Sequence, residues 1–150
     1  MKQESQLNEI SINYEKTTLI DCAITCSSDA DGVFRKIYQI TKSKIELKEY
    51  FFVILLNRSN NVIGFYKLSE GGLTSTTADQ RLVFAAALKC LATGIILGHN
   101  HPSGKTNPSE QDIKLTNKFK SAGSLLEIPV LDHMIICKEG YFSFADEGLC

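Results

Sequence analysis

The chain has 150 residues, 43% apolar and 22% charged, with a formal net charge of −1. That length suits one domain with a real core, and the balanced charge excludes a global attraction to nucleic acid or acidic membrane. The longest apolar run, Tyr50 to Leu56, is too short to span a bilayer.

The opening, Met1 to Gln6, lacks the apolar core of a signal peptide, which leads to an expectation of a cytoplasmic protein. The five cysteines, at 22, 26, 90, 137 and 150, then read as free thiols, mostly core filler. Cys22 and Cys26 lack the spacing of a zinc knuckle.

Ile10 to Tyr14 and Leu19 to Thr25 are expected strands after a polar start. Asp29 is placed to cap a helix over 30–41, with Val33, Phe34, Ile37 and Tyr38 as its inward stripe. The lysines and arginine nearby are interrupted by Glu46 and Glu49, so they read as a solvated face. Residues 50–56 are continuously apolar, a strand buried on both faces. Arg58 to Asn61 turns the chain, and Val62 to Leu68 returns as a hairpin partner. Glu49 stands at the start of the buried strand. There a carboxylate is either an exposed strand end or a placed functional group, and the residues alone leave both open. After a Gly-containing loop, Thr77 and Gln80 fit a capping box. A helix over 77–92 would carry Leu82, Val83, Ala86, Ala87, Cys90 and Leu91 inward.

The most informative stretch runs from Gly94 to Asp112. Ile95, Ile96 and Leu97 read as a short buried strand, with His99 and His101 at its end. Residues two apart on a strand project the same way, so the two imidazoles can converge. A Pro-, Ser- and Gly-rich loop follows. Asn107 is the expected N-cap of the next helix, with Pro108 as its first residue and Glu110 as the capping-box partner. Asp112 then falls in the first turn, able to face the strand end. Two imidazoles and a carboxylate suit zinc, with a fourth position left for water. A His-x-His pair can also merely hydrogen-bond in a loop while Asp112 caps a helix; Ser109 and Asp112 at these offsets favour the metal.

The new helix is expected to run to Ala122, with Gly123 as its C-cap. Ile128 to Leu131 and His133 to Cys137 read as strand with a short break, and Tyr141 to Phe144 as a last strand. His133 can be a fourth ligand or a group supporting the ligands from behind, and the favoured expectation is a partly buried histidine held by Asp132 or a backbone carbonyl. As a fourth ligand it would close the open position of a catalytic zinc. The elements together give an α/β (α+β) fold, a mixed central sheet flanked by helices.

His99-x-His101, followed by Ser109 and Asp112, resembles the JAMM (MPN-type) metallopeptidase motif. The wording His-Asn-His-Pro-Ser-Gly, then Pro-Ser-x-x-Asp, then Leu131-Asp132-His133, is similar to that superfamily's RadC-like branch. The resemblance implies a JAMM-type, cytidine-deaminase-like fold over 1–150. In it, residues 1–45 are a strand-helix lead-in and 46–150 the motif-bearing core. It implies zinc on His99, His101 and Asp112, Glu49 as general base (Glu46 the fallback) and Ser109 as oxyanion donor. The implied reaction is hydrolysis of a peptide or isopeptide bond. The RadC-like label also carries DNA repair. This sequence shows neither that family's N-terminal helix-hairpin-helix region nor a coherent basic stripe, so charge does not support direct DNA binding. A non-catalytic metal-bearing scaffold is a further alternative. A zinc nucleobase deaminase would need His-x-Glu and Pro-Cys-x-x-Cys, and neither occurs.

Overall fold

The computed structural model describes residues 22–71 and 78–150. The order is α1 (Ser27–Ile40), β1 (Tyr50–Leu56), β2 (Val62–Glu70), α2 (Gln80–Lys89), β3 (Gly94–Asn100), α3 (Glu110–Leu125), β4 (Val130–Cys137) and β5 (Gly140–Ser143). The five strands form one sheet in the order β2-β1-β3-β4-β5. Only β3 and β4 run parallel, joined by the crossover through α3; the other neighbours are antiparallel. This is the mixed α/β sheet flanked by helices that the element pattern implied.

Alternation divides the sheet into two packed faces. Phe52, Ile54, Ile96, Met134 and Ile136 meet α1 through Phe34, Ile37 and Tyr38. Phe51, Val53, Leu55, Ile95 and Leu97 meet α2 and α3 through Val83, Phe84, Ala87 and Phe119. A strand covered on both sides can be apolar throughout, which is why β1 has no exposed residue. Gly98 marks where α1 comes closest: a Cβ there would lie 2.3 Å from the Phe34 ring. The parallel pair ends where α3 begins, so the C-terminal end of β3 opens toward the α3 N-terminus. Crevices at strand ends of this kind are where open α/β sheets place ligands.

Several expected boundaries move, each for a local reason. Cys26, not Asp29, is the N-cap of α1. Asp29 sits in the first turn and accepts from the Thr25 N–H and hydroxyl instead. Asp79 caps α2 and accepts from Arg81 N–H; Thr77 lies outside the described residues. The helix stops at Lys89, so Leu91 is exposed with φ 55°, and Leu82 is half-exposed. Ser109, not Asn107, caps α3, with Asp112 rather than Glu110 closing the capping box. Gly123 is not a C-cap but a buried position inside α3, where a Cβ would meet the Ile128 carbonyl at 2.4 Å. The strand over 130–137 is continuous, and the expected break is a shift of register at Leu131, which the pairing with β3 skips. Of the expected lead-in strands, 10–14 lies outside the described residues, and the described end of the second forms a single bridge, Ala23 to Asn61.

Candidate metal centre

β3 brings His99 to the rim of the sheet, and the chain leaves the strand at His101, whose N–H still bonds the Ile136 carbonyl. Asp112 arrives from the first turn of α3. Its carboxylate is aimed by the capping box: Oδ2 accepts from Ser109 N–H at 2.9 Å, while Ser109 Oγ accepts from Asp112 N–H at 3.1 Å. His99 Nε2 and His101 Nε2 are 3.0 Å apart, and each is 3.3 Å from an Asp112 oxygen. His99 is buried, whereas His101 and Asp112 are partly open to solvent.

The hydrogen-bond network fixes which ring nitrogens carry hydrogen. His101 Nδ1 lies 2.8 Å from the Lys105 carbonyl, which only accepts, so Nδ1 carries the hydrogen and neutral His101 has a bare Nε2. For His99 the chain is longer. Thr116 donates its single hydroxyl hydrogen to the Asp112 carbonyl at 2.7 Å. His133 Nδ1, 2.6 Å from that hydroxyl oxygen, must therefore be the donor. Burial holds the His133 pKa well below its ordinary value, so its ring is neutral and Nε2 is bare. That nitrogen accepts from His99 Nδ1–H at 2.8 Å, which leaves His99 Nε2 bare as well.

Two imidazole lone pairs and a carboxylate thus converge with no hydrogen among them. Such a cluster is stable only with a cation or an added proton between its members. His101 expresses the same demand: the hydrogen bond its protonated ring would give Asp112 raises its pKa against the opposing effect of burial, and the Lys105 carbonyl and the charges of Asp112 and Glu49 add to the rise. Burial pushes the Asp112 carboxyl up, but the hydrogen bonds it would accept from His101 and His99 once protonated, with the one it accepts from Ser109 N–H, outweigh burial and hold the group far below the usual carboxylate range. The donor set fits zinc in size too. Tetrahedral bonds of about 2.0–2.1 Å imply donor separations of roughly 3.3–3.4 Å, against the 3.0, 3.3 and 3.3 Å found here.

The other expected residues have definite places. Glu49 immediately precedes β1, and its carbonyl accepts from Gly71 N–H. The β1/β3 register pairs Phe51 with His99, so one pleat further sets Glu49 level with His101. Glu46 sits in the preceding turn and pairs with Lys138. Ser109 is exposed at the start of α3, its oxygen accepting from Asp112 N–H and its own hydrogen given to no acceptor among the described residues. His133 takes the place behind the ligands rather than the favoured one beside Asp132. It is fully buried, and its ring bonds His99 and Thr116; Asp132 reaches only its backbone N–H. Alternation explains this, since Asp132 projects to the opposite face, where it also accepts from Ser143 and Ala145.

A family model described as a RadC-like JAB domain matches residues 24–149. The chain belongs to that family. A UPF0758 protein of Flavobacterium johnsoniae is 52% identical over 127 residues, 84% of this chain and 53% of that protein. A UPF0758 protein of Porphyromonas gingivalis is 52% identical over 103 residues, 68% of this chain and 45% of its own. One from Salinibacter ruber is 39% identical over 126 residues, 84% of this chain and 52% of its own. This RadC-like chain therefore spans about half the length of the curated relatives it matches. Among its described residues no helix is long and apolar enough to cross a membrane.

Thr116 and Asn100 join the site without a sequence motif that names them. In the sequence Thr116 is an ordinary helix position. Asn100, inside the His-x-His pair, carried a signal: a polar side chain that alternation sends into an apolar face must find buried partners.

Proposed function

We propose that this RadC-like domain is a zinc-dependent hydrolase that cleaves a peptide or isopeptide bond. The observation that carries the reading is the convergence of two bare imidazole nitrogens and a carboxylate at the rim of the sheet. His99, His101 and Asp112 would hold the ion as three protein ligands, the number that leaves a catalytic zinc an open position. Bound there, zinc supplies Lewis acidity and lowers the pKa of a water to about 7. Glu49, level with His101, takes the proton from the attacking water and returns it to the departing amine. Ser109, its hydroxyl hydrogen uncommitted among the described residues, donates to the oxygen that gains charge as the carbonyl is attacked. The phenyl ring of Phe51, stacked on His99 at 5.9 Å, and buried His133 keep solvent from the inner side of the imidazoles.

The test is a peptide and isopeptide library screened with the zinc-loaded chain beside Glu49→Gln. That variant is expected to keep its metal and lose cleavage. A Glu49→Gln protein that cleaves as fast as wild type overturns the assignment of the base. A zinc-loaded wild type that cleaves nothing across the library favours the non-catalytic scaffold.

A further inference from the structure

Asn100 lies between two of the proposed ligands yet points away from them. Its side chain is fully buried on the α1 face, and all its hydrogen-bonding capacity is used. Nδ2 donates to the Ile45 carbonyl at 2.7 Å and to the Lys48 carbonyl at 2.8 Å. Oδ1 accepts from Tyr50 N–H at 2.8 Å and from the Tyr38 hydroxyl at 3.0 Å. The amide orientation is unambiguous, because the carbonyls only accept and the N–H only donates. Three of these partners are backbone groups of residues 45, 48 and 50, which bracket Glu49.

We propose that Asn100 is a positioning residue that fixes Glu49 relative to the metal pocket. The inference rests on the hydrolase reading, in which Glu49 is the base. β1 fixes the chain only from Tyr50 onward, and the segment before it is a turn. Beyond the Gly71 N–H bond to the Glu49 carbonyl, Asn100 ties that turn to the strand carrying His99. The base and the ligands are thereby referenced to the same few backbone atoms of β3. No other side chain offers two donors and two acceptors at this reach: aspartate lacks the donors, and glutamine is one methylene too long. A misplacement of about 1 Å in such a group can lower turnover about a hundredfold.

The test uses the full chain loaded with cobalt(II), whose visible spectrum is followed against pH. Asn100→Ala, Asn100→Asp, Glu49→Gln and the Asn100→Ala/Glu49→Gln double variant are compared with wild type. Asn100→Asp keeps the shape and both accepting bonds, so it serves where the alanine variant does not fold. The expected result is one bound cobalt per chain throughout, with Glu49→Gln moving the spectral midpoint. Asn100→Ala and Asn100→Asp then move it in the same direction, and the double variant moves it no further than Glu49→Gln alone. A midpoint moved by Glu49→Gln but untouched by both Asn100 variants overturns the positioning role and leaves the base assignment standing. A midpoint insensitive to Glu49→Gln removes the base from the pocket, and the inference with it.

Discussion

Thr116 Oγ1 lies 2.6 Å from His133 Nδ1, and this contact between α3 and β4 decides which nitrogen of His99 is bare. The hydroxyl has one hydrogen, already given to the Asp112 carbonyl, so the direction of every bond back to His99 follows. The same threonine thus touches the backbone of one proposed ligand and, through His133, the ring of another. Replacing Thr116 by the near-isosteric valine leaves His133 Nδ1–H without its acceptor and frees the His99 tautomer. Loss of an outer partner of this kind weakens metal binding by about 10- to 100-fold. Competition titration of zinc against a chromophoric chelator is expected to find that loss in Thr116→Val; unchanged affinity would contradict the relay.

Zinc affinity should also depend on pH in a particular window. His101 must give up a proton to bind metal, and the Asp112 hydrogen bond raises its pKa above the ordinary 6.5. A raised pKa means the metal-free pocket keeps that proton to higher pH, so competition starts above 6.5 and deepens as pH falls. Affinity is expected to fall by up to about tenfold per pH unit for each proton displaced. Calorimetry in two buffers of different ionisation enthalpy at pH 7 counts the protons released. Affinity that is flat from acid to neutral pH would contradict the assignment.

Ser109 joins a structural and a chemical role that two substitutions can separate. Ser109→Ala loses the cap of α3, at a cost of about 1 kcal/mol, as well as the hydroxyl. Ser109→Gly costs the helix only a few tenths of a kcal/mol. If the hydroxyl serves the oxyanion, both variants lose about a hundredfold or more in turnover. Denaturant melts run beside cleavage assays check this; activity that tracks helix stability instead would leave Ser109 as a cap alone.

Gly98 gives a prediction for the fold. Its missing side chain admits the Phe34 ring, with a Cβ position 2.3 Å from it. Phe34 is fully buried and cannot swing aside without moving α1. Gly98→Ala is therefore expected to destabilise the domain by about 1–3 kcal/mol, the range for overpacked cores. A urea midpoint equal to wild type would show that α1 packs more loosely.

The elements legible in the sequence were those whose pattern and burial agree. β1 is apolar throughout because both its faces are covered, and its bounds came out as read. Helix starts were less legible because capping is a competition among neighbours: Asn107, Ser109 and Asp112 are all capable, and only the three-dimensional turn selects the Ser109–Asp112 pair. The convergence of His99, His101 and Asp112 was legible because strand alternation and a helix first turn are local rules. The His133–Thr116 chain and the four bonds of Asn100 were not. They link residues 17 and as many as 62 positions apart, and no local period carries such information.

A metal held by His99, His101 and Asp112 is read most plainly by elemental analysis of the purified chain. Wild type and His99→Ala are stripped with chelator, reloaded with zinc, desalted and analysed by mass spectrometry. About one zinc per wild-type chain is expected, the complement of one three-ligand site, and essentially none in His99→Ala. Equal zinc in the two proteins, or none in either, would contradict it.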